Sequence, residues 1–334
     1  MRSGVHAAWA ARCWCDSTSA LEPFGPDYFQ CTACETLVFA GAPDASTAGV
    51  VDDDSDLYGS RFWTTLQLER GLPPIDERER TDLTERCLHW LRALLRYRRP
   101  PGRLLEIGAS HGGFVRLARL AGFDAVGIEM SPAIVERARR TFDVDMRLGP
   151  LESAGFADAA FDVVVSFDVL EHLAQPETTL REIRRVLSPA GLLLAQTPDF
   201  REVSFSELQA ANDRFLDFLG PAHLFLFSKR AARAILARTG FPNAVFEPPV
   251  FPNDMFFAAG TELPAARTAD DVARALLETS DGRIVLALLD LYEHDAALRT
   301  VAAERQAVID GLSAACDERL ALIERLDREL RDVR

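Results

Sequence analysis

Between residues 104 and 196 the chain alternates short apolar runs with amphipathic helical stretches, and no other feature narrows its fold as far. Leu104 to Gly108 is an apolar run that enters a glycine-rich turn and then a helical stretch from Phe114 to Ala121. A second run, Ala125 to Glu129, precedes a helix opened by Ser131-Pro132; Phe161 to Ser166 reads as a fully buried strand, Pro176 to Leu187 as a helix, and Gly191 to Gln196 as the next strand. Strands that alternate with helices predict an α/β fold, a Rossmann-like doubly wound parallel sheet. Two later runs, around Ala244-Val245-Phe246 and from Met255 to Ala259, predict an edge hairpin. Ahead of the sheet, Leu83, Cys87, Leu91, Leu94 and Leu95 recur at helical spacing between Asp76 and Arg98, and Pro100-Pro101 stops that helix.

Composition removes several classes of function. The 334 residues carry a formal charge of −14, which argues against a protein that grips nucleic acid by its phosphates. No stretch approaches the ~20 apolar residues needed to cross a bilayer. The opening segment lacks a long apolar core and meets cysteines early, so it does not read as a secretion signal and the expected location is cytoplasmic.

Four of six cysteines lie near the start, as Cys13-x-Cys15 and Cys31-x-x-Cys34 with fifteen residues between the pairs. Two short-spaced pairs on turns can gather four thiolates around a tetrahedral Zn²⁺, here a structural ion because no coordination position would stay open. Two disulfides are the alternative, disfavoured without an export signal. The first pair is one residue shorter than the usual knuckle and must turn more tightly. A Pro/Ala/Gly/Ser-rich stretch with an acidic run, Gly41 to Asp56, follows as a linker.

The segment from Leu104 to Phe114 joins strand, turn and helix start, with Gly108, Ser110, Gly112 and Gly113 in the turn. Alone it also fits a degraded dinucleotide-binding turn or a tight turn without a ligand. Glu129 adds an acid about ~20 residues on, where a carboxylate reaches ribose hydroxyls. Then come Val163-Val164-Val165-Ser166-Phe167-Asp168-Val169-Leu170-Glu171-His172-Leu173 and Arg185-Val186-Leu187-Ser188-Pro189-Ala190-Gly191. As an ordered set, over Arg103 to Thr261, these motifs resemble the class I S-adenosylmethionine-dependent methyltransferases. The cysteine prefix, Tyr58-Gly59-Ser60-Arg61-Phe62-Trp63 and Ala222-His223-Leu224-Phe225-Leu226-Phe227-Ser228 look like a bacterial subgroup associated with sugar, glycan or natural-product methylation.

That resemblance implies a seven-stranded sheet with an antiparallel last strand, and S-adenosylmethionine as cofactor. By position, Glu106, Gly108, Ser110 and Gly112 would line its methionine end, and Glu129 would take both ribose hydroxyls. Met130 would lie against adenine, Leu151 and Glu152 near its edge, and Phe167 and Asp168 below the methionine moiety. Two positions depart from the pattern. Ser110 replaces a glycine, so its backbone must avoid positive φ or carry strain, and Pro150 replaces an aspartate that would contact adenine.

On the acceptor side, Asp168, Glu171 and His172 fall at i, i+3 and i+4 and would share one helical face just past a strand end. A similar pattern in the bacterial ubiquinone-biosynthesis O-methyltransferase holds a divalent cation; the competing expectation is a capping box, with Asp168 as N-cap and Glu171 at N3. His172, His223 and Glu171 are the candidate catalytic residues. His223 follows an expected helix, Ser206 to Leu219, that could act as a lid. His111 reads as a surface residue of the turn, and Tyr58 and Trp63 either border the acceptor pocket or dock the linker. The expected acceptor is a small, carbohydrate-containing molecule. The rivals are a nicotinamide-dependent oxidoreductase or epimerase, and a non-catalytic scaffold.

After about Leu263 the chain turns helical and polar. Leu291, Leu298, Leu312, Leu326 and Val333 share one heptad position, Val301, Val308, Ala315 and Leu322 its companion, and Arg305 and Arg319 interrupt the seam. This predicts a long helix packed on its own body, on a partner or on a second copy. The expected divisions are a zinc-ribbon-like domain at 1–48, a linker and helical segment at 49–100, a cofactor-binding methyltransferase domain at 101–262 and a helical extension at 263–334.

Overall fold

A computed structural model describes residues 12–16, 21–47, 49–69 and 71–332, in two compact units, Met1–Val285 and Leu286–Arg334. Val333 and most of the opening segment weighed above lie outside the described residues.

In the first unit the strands Leu21–Phe24 (β1), Tyr28–Cys31 (β2) and Leu37–Phe39 (β3) form a small antiparallel meander. Helices Ile75–Asp82 (α1) and Leu88–Tyr97 (α2) follow, joined through a π-turn at Leu83–Cys87. The main sheet is built from Arg103–Ile107 (β4), Asp124–Glu129 (β5), Asp145–Leu148 (β6), Phe161–Phe167 (β7) and Leu187–Pro198 (β8). Their crossover helices are Gly113–Ala121 (α3), Pro132–Phe142 (α4) and Pro176–Val186 (α5). Beyond β8 come Phe205–Ala211 (α6), a 3₁₀ turn at Arg214–Phe218, Phe225–Leu226 (β9) and Lys229–Arg238 (α7). The expected hairpin closes the sheet as Asn243–Glu247 (β10) and Asp254–Gly260 (β11).

The seven strands lie in the order β10-β11-β8-β7-β4-β5-β6. Strands β4 to β8 pair in parallel with their neighbours within that run, and β11 is antiparallel to both β8 and β10. The near-continuous apolar runs are explained by this burial on both faces: Val163, Val164, Val165 and Leu194 have no accessible surface. Chain order reverses at β4, which lies between β5 and β7, and the crevice beyond the carboxyl ends of these strands is where a sheet of this topology binds ligands.

The cysteine meander is part of this body. β3 pairs antiparallel with β9, Leu37 opposite Leu226 and Val38 opposite Phe225. Cys13, Trp14, Cys31, Cys34 and Val38 share one apolar core with Val164, Leu193, Phe227 and Phe257.

Three sequence expectations need correction. No helix begins at Asp168: Leu170–His172 is a single 3₁₀ turn and α5 starts only at Pro176. The expected helix from Ser206 to Leu219 is broken at Asn212, which takes a left-handed conformation (φ 48°), into α6 and the 3₁₀ turn. His111 is buried rather than on the surface, with its Nε2 3.2 Å from Asp82 Oδ2. Burial alone would raise the Asp82 carboxyl, but His111, Arg78 and Arg86 together hold it down at about 2.

Helix α8 (Ala269–Leu276) is capped by a reciprocal Thr268–Asp271 box, and the last helix, α9, runs from Ser280 to Asp332. Along it Leu291, Leu298, Val301, Val308, Leu312, Leu322 and Leu326 are exposed. No helix among the described residues is long and apolar enough to cross a membrane.

Candidate active site and cysteine ribbon

The turn after β4 owes its shape to left-handed backbone at Gly108 (φ 69°), Ser110 (φ 48°) and Gly112 (φ 79°). A Cβ on Gly108 would stand 2.5 Å from the Val169 side chain, so only glycine lets the two loops approach. Of the two options open to Ser110, the chain takes the strained one. What holds it there is Glu129, at the end of β5. The Glu129 carboxylate accepts the Ser110 N–H at 3.0 Å, Met130 N–H at 2.7 Å and Ser131 N–H at 3.3 Å. Burial raises this carboxyl, and the three N–H groups work against the rise.

Glu106, on β4 beneath the turn, is buried, and burial pushes its carboxyl well above the ordinary range. Its Oε2 and the Ser110 Oγ are buried with no hydrogen-bond partner among the described residues. Buried polar atoms are nearly always satisfied, so two such atoms beside one strained loop point to an absent polar ligand. Phe167 closes the far side, stacked on Trp90 at 3.9 Å and edge-on to Phe114. Leu151 is buried and Met130 half-buried; Glu152 accepts a hydrogen bond from Thr179 Oγ1.

Asp168 is not a cap. Its backbone is left-handed (φ 57°), Gln196 Nε2 donates to Oδ1 at 3.0 Å, and Arg86 Nη1 lies 3.4 Å from Oδ2. Without a helix at this point, the capping-box reading of Asp168 and Glu171 falls.

Glu171, His172 and His223, separated by up to 52 positions, place donor atoms within 4.8 Å of one another. Thr197 Oγ1 donates to Glu171 Oε2 at 2.8 Å, and the two imidazole centroids are 4.9 Å apart. His172 Nδ1 lies 2.6 Å from Ala222 O and His223 Nδ1 2.6 Å from Phe218 O. A carbonyl can only accept, so these contacts assign a proton to Nδ1 of both rings. Burial, then the Asp168 charge, raises the Glu171 carboxyl well above its usual range. Such a trio can relay a proton or supply three donors to a divalent cation.

The sequence reading missed Asp53 and Asp254, and it left Tyr58 and Trp63 between the acceptor pocket and the linker. Asp53, in the acidic linker, accepts from Ser131 Oγ at 2.7 Å and from the Ala133 N–H at 3.2 Å, so the linker is tied to the N-terminus of α4 beside Glu129. Tyr58 OH sits 3.2 Å from His172 Nδ1 and donates to Ala222 O at 3.1 Å, which places it beside the His172–His223 pair. Trp63 instead lies under the Arg78 guanidinium. Asp254, at the start of β11, carried no motif; only the strand-end rule for doubly wound sheets could have flagged it.

In the ribbon, Cys13, Cys15, Cys31 and Cys34 bring their sulfurs within 4.8 Å of one another, and all are free thiols. Cys13 Sγ is 3.4 Å from Cys34 Sγ and Cys15 Sγ 3.5 Å from Cys31 Sγ. The edge of a tetrahedral Zn–S₄ site is about 3.8 Å for Zn–S near 2.3 Å, so the donor set fits zinc in chemistry and spacing.

A methyltransferase-domain family model matches residues 78–244, half of the chain. The chain belongs to the class I S-adenosylmethionine-dependent methyltransferase family. It is 32% identical, over 42% of its length and 56% of the relative's, to a Mycolicibacterium smegmatis protein named as a probable S-adenosylmethionine-dependent methyltransferase. It is 36% identical to the ubiquinone biosynthesis O-methyltransferase of Maricaulis maris over 28% of this chain and 40% of that one. The chain thus spans about half or less of these curated relatives. Among solved structures, the S-adenosylmethionine-dependent methyltransferase of Archaeoglobus fulgidus aligns at TM-score 0.44 and 14% identity, covering 58% of this chain and 97% of that one.

Burial, then Asp168 and Asp199, push the Asp254 carboxyl up to about 8, with Arg86 opposing. An acid whose folded pKa exceeds its unfolded value keeps its proton longer when folded, so its contribution is lost as pH climbs from about 4 toward 8. Chemical denaturation of Asp254→Asn should therefore show stability close to the parent at pH 4 and higher by a few kcal/mol, roughly, at pH 8. A difference that does not vary with pH would contradict this placement.

Proposed function

We propose that the chain transfers a methyl group from S-adenosylmethionine to a small acceptor, a sugar, glycan precursor or natural product, at oxygen or carbon. The observation that carries the cofactor is the pair of orphaned buried atoms, Glu106 Oε2 and Ser110 Oγ, beside Glu129. Glu106 would meet the cofactor's ammonium and Ser110 its carboxylate. Glu129 has about four lone-pair positions and three N–H partners, which leaves one position on Oε2 for a ribose hydroxyl, with the long Ser131 contact the one a second hydroxyl would displace.

The bound cofactor supplies an already activated methyl group. The protein's part is alignment of the acceptor atom with that methyl and removal of the acceptor's proton. In their neutral form, with Nδ1 protonated, His172 and His223 would use Nε2 for that step. Glu171, whose carboxyl burial raises well above its usual range, orients the pair through its backbone: its carbonyl accepts the Leu224 N–H at 2.7 Å. Tyr58 closes the acceptor side. The carbohydrate assignment is supported by the subgroup resemblance in the sequence, while curated relatives are named for ubiquinone, sterol and malonyl-carrier-protein acceptors. As functional divisions we propose the ribbon at 1–48, the linker and helical segment at 49–100, the methyltransferase domain at 101–262 and the helical extension at 263–334, and as location the cytoplasm.

Zinc on Cys13, Cys15, Cys31 and Cys34 is the proposed structural ion. The exposed seam of α9 is proposed to pair with a second copy of this chain. Arg305 and Arg319 each follow a glutamate, Glu304 and Glu318, and in a parallel in-register pair each arginine at position a is flanked by the other copy's glutamate at g.

Calorimetry should detect S-adenosylhomocysteine binding to the parent and about 100-fold weaker binding to Glu129→Gln, the equivalent of roughly 3 kcal/mol of charge-assisted hydrogen bonding. Absence of binding to folded parent protein would end the methyltransferase reading. Elemental analysis should find one zinc per chain, lost together with thermal stability in Cys31→Ser; a metal-free protein of unchanged stability rejects the ribbon ion. Sedimentation at micromolar concentration should show a dimer that Leu312→Glu dissociates, and a monomeric parent removes the pairing.

A further inference from the structure

The turn Gly220-Pro221-Ala222-His223 is closed by the His223 N–H on Gly220 O at 3.1 Å, and it is held from two sides. On one side its central carbonyl, Ala222 O, receives His172 Nδ1 at 2.6 Å and Tyr58 OH at 3.1 Å. On the other stands a residue the proposed chemistry does not use. Tyr28, on β2 and 2% exposed, has its phenol oxygen 2.8 Å from Gly220 O and 2.7 Å from His223 O, and accepts the Gly220 N–H at 3.1 Å. One hydroxyl proton is thus shared by the carbonyls at both ends of the turn.

We propose that Tyr28, a residue of the cysteine ribbon, is the positioning residue for the His172–His223 pair, so that the ribbon sets the geometry of the acceptor side. The inference rests on reading that pair as the acceptor-side base. The chain of contacts is short. The Tyr28 ring packs edge-on against Phe39, whose N–H donates to Leu224 O at 3.0 Å, and β3 continues the grip by pairing with β9. Leu224 N–H in turn binds Glu171 O at 2.7 Å. The residues from Gly220 to Leu226 therefore bridge the ribbon to Glu171 and His172, and Tyr28 supplies their side-chain anchor on the ribbon side. Cys31 ends the same strand, which links the thiol cluster to the turn through three residues of β2.

Buried groups that lose a partner do not stay where they were. Without the Tyr28 hydroxyl, the Gly220 N–H and the His223 carbonyl lose that hydrogen bond, the turn shifts, and Ala222 O no longer fixes the His172 ring. The cofactor side, built from β4, β5 and the turn after β4, makes no contact with Tyr28 among the hydrogen bonds described above.

The test uses full-length protein and needs no acceptor. Nitrogen-detected imidazole NMR of the parent should show His172 and His223 protonated at Nδ1. In Tyr28→Phe, both should move to mixed tautomers, read from their Nδ1 and Nε2 shifts. His89, on Pro248 O at 2.9 Å, and His111, on Asp82, should not change. S-adenosylhomocysteine affinity should stay within twofold. Unmoved His172 and His223 signals, or equal movement of all four, would overturn the proposal. Should Tyr28→Phe fail to fold, hydrogen exchange in the parent decides: the Gly220 amide is expected to be protected about 100-fold, and rapid exchange there refutes the clamp. The base reading has its own test. Once an acceptor is in hand, undiminished transfer by His172→Gln/His223→Gln rejects the pair as base, whatever the NMR shows of Tyr28.

Discussion

The Glu129 carboxylate is the interaction on which the cofactor side depends. It ties the end of one parallel strand to the loop that leaves its neighbour, and it does so with backbone N–H groups, which cannot be supplied by a side chain of the wrong length. A serine in left-handed conformation costs about a kcal/mol or more, and the contact from Glu129 holds Ser110 there. The result is a left-handed turn beside a buried carboxylate, with two buried oxygens that have no hydrogen-bond partner among the described residues, at the point where strand order reverses. A flat, fully satisfied turn would have nothing to offer a zwitterionic ligand.

The proposed acceptor side follows a different logic. Its residues come from four places in the chain: the linker (Tyr58), the end of β7 (Glu171 and His172), the end of β8 (Thr197) and the turn before β9 (His223). None is on a long helix. Each is fixed instead by carbonyl and hydroxyl contacts to the others, so the group is ordered as a network. The ribbon enters the same network through β3 and Tyr28. A small cysteine module attached to a Rossmann-like body is therefore a structural wall here, sharing both a sheet and a core with the body.

Much of the fold could be read from pattern. Continuous apolar runs such as Val163 to Val165 belong to strands buried on both faces, and their alternation with amphipathic helices leaves few topologies. The cysteine spacing likewise foretold a clustered set of thiols, and the glycine turn with Glu129 marked the crevice. The failures were local. Asp168, Glu171 and His172 have helical spacing, but the left-handed backbone at Asp168 breaks any helix there, and periodicity does not see φ. His111 looked like a surface residue because its partner, Asp82, lies 29 positions away on a separate helix.

The chain's own order of residues determined the doubly wound sheet, the strand-end placement of the glycine turn and the four-thiol cluster, because each depends on local periodicity or short spacing. Tertiary structure alone decided that Asp53 reaches the start of α4, that Tyr28 grips the His223 turn and that Glu171, His172 and His223 meet. These contacts join residues far apart in sequence, and only the packing of separate elements brings their polar atoms within bonding distance.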